Sequence, residues 1–577
     1  MHLVQMAHVP PTWIEPEPIP TDSDAGSWHP DPLIRALLYR RGIRDRTAVA
    51  DFLDARRRPA PDHLRLPNID RAIARIGEAV EKGERIGIFG DYDVDGITST
   101  ALLTLALRSI VGADRVTPAL PERADGYGMN PRAIAEMATA GVKLLIAVDC
   151  GSSDHEHAAL VSASGMDLII LDHHRMADYG PDGAITVSPQ LDAGSNLHDL
   201  SAVGVAYLLV SGLAQAGFPV ADGHDAGEAR FLDLVALGTV ADVSPLRGVN
   251  RALVRDGLRT LACSGTRPGV RALLDAAGLS PDAVTAEDIA FKIGPRINAA
   301  GRLESPCLAF DLLMTEEPRE ARRLAGALEA LNQKRKVWTD RLMREATDAI
   351  GRKPGWKSRS VLALHSPEWP SGLVGAAASR LAEELRRPVL VFRDDGDVLH
   401  GSARSIDGFN LVDALTGASP LLTRYGGHSR AAGVTLPKAN LERLETHLEE
   451  SVTKSGLTIP SPRRIVIDAD LAGDRLSPRT VRALAPLEPF GAGNPVPMFR
   501  IRDARVQRYT TMGQEKQHLK IAVTVGGRPL EAVLWSAAWR SSELLLVRTV
   551  DLVGRLEINA WNGQERLQMI AEDFRPS

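Results

Sequence analysis

Three carboxylates alternate over five residues in Gly90-Asp91-Tyr92-Asp93-Val94-Asp95-Gly96. Acids this close repel one another strongly unless cations sit among them. Two further polar clusters follow short apolar runs: Leu144–Val148 leads into Asp149-Cys150-Gly151, and Leu168–Leu171 leads into Asp172-His173-His174. Asp242 stands just past another apolar run, Leu234–Val240. Carboxylates mixed with imidazole suit Mn²⁺ or Mg²⁺ better than a soft metal. A donor set of this size is satisfied more easily by two ions sharing one bridging carboxylate than by a single ion. A two-ion site activates a water and clamps a phosphoryl group during in-line displacement.

Other motifs built from similar residues do not fit. A calcium-binding EF-hand loop also opens D-x-D-x-D-G, but its twelfth position requires Glu, where Leu102 stands, and it follows a helix rather than a strand-like run. Gly87, Gly90 and Gly96 lack the G-x-G-x-x-G spacing, and the chain holds no Gly-Lys dipeptide for a P-loop. His155-Glu156-His157 misses the second imidazole of a zinc helix, because Ala159 occupies that place. Phosphate contacts have candidates of their own. Gly294-Pro-Arg296 and Ala300-Gly-Arg302 put guanidinium groups beside glycines, on loops where a backbone can approach a ligand. Gly401-Ser402-Ala-Arg404 pairs a hydroxyl with a guanidinium on one side of a strand, a suitable phosphate clamp.

Residues so far apart need a sheet edge on which to converge. Strand-like runs at Arg85–Phe89, Lys143–Val148 and Asp167–Leu171 alternate with helical stretches at Thr98–Ser109 and Pro131–Ala140. That alternation predicts a parallel α/β sheet, whose carboxyl edge gathers ligands. Upstream, a Pro-rich opening to Thr21 is expected to be loosely ordered. Short helices follow over Asp31–Tyr39, with Gly42 as the stop, then Thr47–Leu53 and Ile69–Glu81. Pro318–Ile350 contains no internal Pro and one Gly, Gly326, and predicts a helix of ~50 Å at about 1.5 Å per residue. It either packs on one domain or bridges two; the break at Arg352-Lys-Pro-Gly and a fresh α/β pattern from Val361 favour the bridge. That second pattern runs through Pro388–Phe392 to Leu457. Past Pro460 the runs Arg464–Ile467, Met498–Val506, Leu519–Val525, Leu530–Leu534 and Thr549–Val553 predict a small all-β barrel. The fold class is multidomain α/β: a parallel-sheet domain and a second α/β domain joined by a long helix, then a C-terminal all-β module.

Composition agrees. The 577 residues are 44% hydrophobic and 24% charged, enough for several packed cores. Cys150, Cys263 and Cys307 form no CxxC pair, which suits a reducing compartment and argues against a cysteine zinc site. No run approaches the ~18 apolar residues of a membrane span, and the N-terminus shows no signal-peptide pattern, so a cytoplasmic protein without a membrane role is expected. The net charge of −5 argues against coating nucleic acid by bulk attraction. It is uneven, however: from Ser461 onward 17 Lys and Arg face 13 Asp and Glu, a balance of +4 on a body of −9. Trp535, Trp539 and Trp561 are candidate stacking platforms in that basic module, with core packing the rival role for at least two of them.

The order of the Asp91–Gly96 loop, Asp149, Asp172-His173-His174 and Asp242 resembles the DHH phosphoesterase superfamily. Within it, Gly-Asp-Tyr-Asp-Val-Asp-Gly is similar to the first motif of the RecJ family, bacterial single-strand-specific 5′→3′ exonucleases. Pyrophosphatase members instead carry a His where Phe89 stands. Leu38–Leu53, Gly294–Arg302, Ser371–Gly375, Gly401–Arg404, Gly426-Gly-His428 and Leu487-Glu-Pro-Phe-Gly-Ala-Gly-Asn-Pro495 also resemble RecJ segments, the last near the start of its C-terminal domain.

The resemblance implies five metal ligands, Asp93, Asp95, Asp149, His173 and Asp242, with Asp149 as the bridge between two Mn²⁺ or Mg²⁺ ions. Asp91 either binds metal or stands behind the ligands. Asp172 either holds an imidazole N–H or serves as a turn residue. The resemblance further implies that His174 faces the phosphate, that His428 approaches the scissile phosphate, and that Arg123, Arg302, Ser402 and Arg404 hold a 5′ phosphate. The implied layout is an N-terminal helical segment at 1–80, a DHH catalytic domain at 81–317, a linking helix at 318–354, a DHH-associated (DHHA1) domain at 355–459 and an OB-fold single-strand-binding domain at 460–577. The implied activity removes 5′ mononucleotides from single-stranded DNA in repair and recombination, alongside a single-strand-binding protein and a RecQ-type helicase. Two rivals are a DHH oligonucleotide or cyclic-dinucleotide phosphodiesterase, which generally lacks the long C-terminal barrel, and a catalytically silent scaffold, which would have lost the metal residues.

Overall fold

The Pro-rich opening is not loose throughout. The computed structural model describes residues 9–19, 29–54, 66–176, 179–220, 230–263, 266–561 and 564–577, and within the first of these lies a strand, β1 (Thr12–Ile14). The chain forms two compact units. One comprises Asp51–Arg335 with Leu487–Pro495; the other comprises Met1–Ala50, Lys336–Pro486 and Val496–Ser577.

The first unit is built on five parallel strands, β2 (Arg85–Phe89), β3 (Val116–Ala119), β4 (Val142–Val148), β5 (Asp167–Leu171) and β6 (Ile185–Val187), in the order β3-β2-β4-β5-β6. The three inner strands are covered on both faces, so they read as unbroken apolar runs. The edge strands β3 and β6 are short, and β3 carries Pro118, which an edge tolerates; neither has a run long enough to stand out in the sequence. Strand order reverses between β2 and β4, which opens a crevice at their carboxyl ends.

Beneath the sheet run the helices Val94–Val111, Ala202–Gln215 and Leu232–Ala241, buried almost all round in one apolar core. Val94–Val111 is long and apolar enough to cross a membrane, yet 72% of it is buried inside the protein, the mark of a core helix. Gly257 and Gly269 let helices approach within this core, where a Cβ would fall 2.3 and 1.7 Å from the carbonyls of Leu232 and Leu312.

A single helix, Pro318–Arg352, crosses from one unit to the other. Leu324, Leu328 and Leu331 belong to the core of the first unit, whereas Leu342, Met343, Ala346 and Ile350 belong to a core of the second. It is a bridge.

The second unit holds a mixed sheet of β7 (Leu362–Ser366), β8 (Val389–Asp394), β9 (Val398–Arg404), β10 (Arg424–His428) and β11 (Ala431–Pro437), ordered β10-β11-β9-β8-β7 with only β7 and β8 parallel. It also holds β12 (Arg464–Val466), which pairs in parallel with β1. The C-terminal strands are β13 (Ala469–Asp470), β14 (Phe499–Met512), β15 (His518–Val525), β16 (Arg528–Leu534), β17 (Thr549–Trp561) and β18 (Gln564–Pro576). Pairing of β14 with β17 closes them into a barrel. The N-terminal strand is a strap on this barrel. Trp13 Nε1 donates to Asp573 at 2.7 Å, Arg575 lies 4.2 Å over the Trp13 ring, and Glu15 accepts both terminal nitrogens of Arg500 at 2.5 and 2.8 Å. Partners so distant in sequence explain why composition alone suggests a loose end.

Candidate metal centre

Asp91 and Asp93 leave the end of β2, and Asp93 caps the following helix by accepting from the amides of Asp95 and Gly96 at 3.0 and 3.1 Å. Two glycines make the turn possible: a Cβ at Gly90 would lie 1.9 Å from Thr100 Oγ1, and one at Gly96 2.5 Å from the Asp91 carbonyl. Asp95, in the first turn, accepts from the amides of Ala202 and Val203 at 2.8 and 2.9 Å, so the N-terminus of a second helix fixes its carboxylate. Asp149 leaves β4 with φ +63, a left-handed conformation that Asp tolerates better than most residues. Asp242 closes the helix Leu232–Ala241 and accepts from Ser244 Oγ at 2.5 Å.

His173 stands at the middle of the group. Its Nε2 is 3.4 Å from Asp149 Oδ1 and 3.9 Å from Asp95 Oδ2, and its Nδ1 is 3.9 Å from Asp242 Oδ2. Asp149 Oδ1, His173 Nε2 and Asp91 Oδ1 are buried without hydrogen-bond partners among the described residues. Three sets of donors lie close enough to share an ion: Asp95, His173 and Asp242; Asp91, Asp93 and Asp149; Asp149, His173 and His174. Asp149 belongs to two of them. Electrostatics agree. Burial, then the charge of Asp93, pushes Asp91 up to about 7. Burial and neighbouring carboxylates push Asp95 and Asp149 well above the usual carboxylate range, and burial also raises Asp242. A cluster of acids that resist ionisation side by side, with orphaned donor atoms facing one another, fits divalent cations.

Asp172 does both tasks open to it. One oxygen caps the turn, accepting from the amides of His173 and His174 at 2.8 and 3.2 Å, and also accepts from His174 Nδ1 at 2.8 Å; the other accepts from the Ser152 amide at 3.1 Å. Burial disfavours the His174 cation, but the hydrogen bond and charge of Asp172 outweigh it and hold His174 up at about 9. Tyr127, which residue types alone do not single out, adds to this: its hydroxyl donates to the Asp149 carbonyl at 3.0 Å and lies 3.1 Å from His174 Nδ1.

Arg123 and Arg302 also come together. Arg123 Nε donates to the Gly301 carbonyl at 2.9 Å, and its guanidinium lies 4.4 Å over the Tyr92 ring. Burial, then the charges of Arg123 and Arg335, lowers Arg302 to about 10. Two guanidiniums crowding a third suit an anion, and Arg335 and Tyr92 join the predicted pair. Arg296 does not. Gly294–Leu303 is a helix rather than a loop, and Arg296 is buried against Glu329 at 2.6 Å.

In the second unit, Ser402 and Arg404 share one face of β9, with Arg404 Nη1 donating to Ser402 Oγ at 2.5 Å and Nε to Ser379 Oγ at 2.9 Å. His428 lies on the same row of the sheet, opposite Ala431, which is itself opposite Arg404, so both side chains share a face. Trp535 is 54% exposed beside a cleft of about 450 Å³ that Lys520, Asn559 and Gln568 also line; Trp539 is half-buried, and the side chain of Trp561 lies outside the described residues.

Carboxylates and imidazoles gathered at the switch point of a parallel sheet define a metal-dependent phosphoesterase of the DHH class. Family models agree: DHH family, N-terminal domain over residues 85–239, DHHA1 domain over 358–454 and RecJ OB domain over 467–573. The chain is 35% identical over 565 residues to the single-stranded-DNA-specific exonuclease RecJ of Salmonella typhimurium, covering 94% of this chain and 96% of that one. Crystal structures of Thermus thermophilus RecJ with Mn²⁺ and with Mg²⁺ superpose with TM-scores of 0.83 and 0.78 at 31% and 30% identity; each match covers 98% of this chain, and 79% and 78% of the respective RecJ chains. The chain belongs to the RecJ family.

Proposed function

We propose that this protein is a single-stranded-DNA-specific exonuclease that releases 5′ mononucleotides by phosphodiester hydrolysis with two Mn²⁺ or Mg²⁺ ions. The observation that carries the proposal is the pair of buried, unsatisfied donors, Asp149 Oδ1 and His173 Nε2, at the centre of a carboxylate cluster. Asp93, Asp95, Asp149, His173 and Asp242 are the ligands of this reading, Asp149 bridging. When bound, the ions supply an activated water and neutralise charge on the phosphoryl oxygens. The chain's own residues do the rest. The amides of Ala202 and Val203 hold Asp95 in place, and Asp172 takes His174 Nδ1, which leaves Nε2 as the nitrogen for the phosphate. Arg123, Arg302, Ser402 and Arg404 are assigned to the 5′ phosphate, and His428 to the scissile one. The closed barrel and the full set of carboxylates favour this reading over a barrel-less phosphodiesterase and over a silent scaffold.

The layout at 1–80, 81–317, 318–354, 355–459 and 460–577, the cytoplasmic location, the role in repair and recombination, and the partnership with a single-strand-binding protein and a RecQ-type helicase are proposed with it, on the family resemblance. The test is digestion of a single strand labelled at its 5′ or 3′ end, with Mn²⁺, Mg²⁺ or a chelator. Early release of label as a mononucleotide from the 5′ end alone, abolished by the chelator, is expected; release from the 3′ end would refute the polarity.

A further inference from the structure

Leu487–Pro495 lies in the first unit, although the sequence places it at the approach to the barrel. Its shape is fixed by Asn494, 2% exposed, whose side-chain amide donates to the carbonyls of Leu487 and Pro489, each at 2.8 Å. So shaped, the segment offers three carbonyls to the stretch that follows Asp242. Ala492 accepts from the Leu246 amide at 2.7 Å, Gly493 from Arg247 Nε at 2.8 Å, and Glu488 from the buried Arg251 Nη2 at 2.6 Å. The fit is close: a Cβ at Gly491 would lie 2.7 Å from Leu246 Cδ1, and one at Gly493 3.0 Å from Pro245 Cβ.

Between these contacts and Asp242 sits a strained residue. Val243 has φ +65, a conformation that a β-branched side chain strongly disfavours, and at 68% exposure its own packing does not hold it there. Such strain persists only where the surroundings impose it. Ser244 bonds back across Val243 to Asp242; just beyond, Asn250 holds the Pro245 carbonyl at 3.1 Å and the 487–495 segment holds Leu246, Arg247 and Arg251.

We infer that Leu487–Pro495 is a positioning segment for the metal centre: it clasps the strained Asp242–Arg247 turn and thereby sets the Asp242 carboxylate at its metal-binding position. This rests on the assignment of Asp242 as a metal ligand. The test uses the full chain, with Mn²⁺ binding followed by calorimetry and amide exchange followed in metal-free protein. Asn494→Ala should weaken Mn²⁺ binding at least fivefold, speed exchange at the Leu246 amide at least tenfold, and lower kcat on single-stranded DNA with KM unchanged. Arg247→Ala removes one contact from a partly exposed side chain and should act in the same direction if Asn494→Ala folds poorly. Adding Val243→Gly to either variant relieves the strain and should restore most of the Mn²⁺ affinity, a rescue that general loss of packing would not show. Wild-type Mn²⁺ affinity in both clasp variants, or a loss that Val243→Gly leaves in place, overturns the inference. Asp242→Ala separates the two assignments. If it retains full Mn²⁺ affinity, the ligand assignment fails and the clasp with it; if it alone loses affinity, only the clasp fails.

Discussion

One added methyl group at Gly238 should cripple the metal centre although it replaces none of the donor residues. Gly238 lies on the helix Leu232–Ala241 where it crosses Val94–Val111, and a Cβ there would stand 2.4 Å from Thr98 Oγ1, 2.8 Å from Asp95 Oδ1 and 2.8 Å from Val203 Cγ1. To regain the 3.4 Å of ordinary contact, the Asp95 oxygen must retreat by about 0.6 Å. Thr98 cannot yield much, because its hydroxyl donates to the Val94 carbonyl at 2.7 Å inside a buried helix. Metal–donor distances tolerate about ±0.2 Å, so a displacement roughly three times larger breaks the geometry that the Ala202 and Val203 amides maintain. Overpacking of this kind costs about 1–3 kcal/mol, offset in global stability by the ~1 kcal/mol helix preference for Ala over Gly. If the cost falls mainly on the Asp95 position, Mn²⁺ affinity drops roughly 5- to 150-fold while Tm shifts by only a few degrees. The assay is Mn²⁺ titration calorimetry beside single-turnover cleavage of a labelled single strand. Gly326→Ala is the control, since a Cβ there meets nothing within 4 Å. Mn²⁺ affinity and cleavage within twofold of wild type in Gly238→Ala would refute the reasoning.

Asp149→Asn keeps a residue that tolerates φ +63 but removes the charge assigned to the bridge; hydrolysis should fall at least a thousandfold with Tm unchanged or higher, and near-wild-type cleavage would remove the two-ion assignment. Arg302→Ala and Arg404→Ala should each lower the preference for a 5′-phosphorylated strand over a 5′-hydroxyl one by about tenfold, the scale of a charge-assisted contact of ~1.5–3 kcal/mol, as read from competition between the two substrates. Asp172→Asn should bring His174 down from about 9 toward its ordinary 6.5 in metal-free protein, measured by NMR titration, because burial is then opposed only by the weaker pull of Asp242 and Asp93. The raised value means that the Asp172–His174 contact stabilises the fold below the unfolded-state value of 6.5, and that this contribution fades as pH rises through about 9. The metal-free variant should therefore lose stability mainly at the acid end of that window.

Much of the metal centre is legible because each piece is local. Asp91, Asp149 and Asp172 follow apolar strands, and a parallel sheet brings strand ends together whatever lies between them. The long helix is legible because no Pro interrupts it, and its bridging role shows in the break at Lys353-Pro354. What hides from the sequence is whatever needs a distant partner. Leu234–Val240 is apolar on every side, so its length and composition do not tell helix from strand until it packs. Arg296 stands next to Pro295 like a loop residue, but Glu329 captures it. Trp13 and Glu15 lie in a Pro-rich tail and owe their order to Asp573, Arg575 and Arg500. Tyr127 carries no motif of its own; only the converging strands bring its hydroxyl to His174.

The two units are interleaved along the chain, and this sets a timetable for synthesis. The ribosome finishes Arg335 well before the segment that completes the first unit emerges. Up to Pro495, about 160 further residues must be made, roughly 8–32 s at about 5–20 residues per second. The strap at Thr12–Ile14, made about 450 residues before β12, waits longer still for that strand and for the barrel that binds Trp13. Until Leu487–Pro495 is made, the Leu246 amide and the Arg251 guanidinium lack the carbonyls of Ala492 and Glu488, and until β12 is made β1 has no strand to join. A nascent chain stalled short of residue 495 should therefore be cut by proteases in the 243–251 stretch, and should become resistant there once elongation resumes.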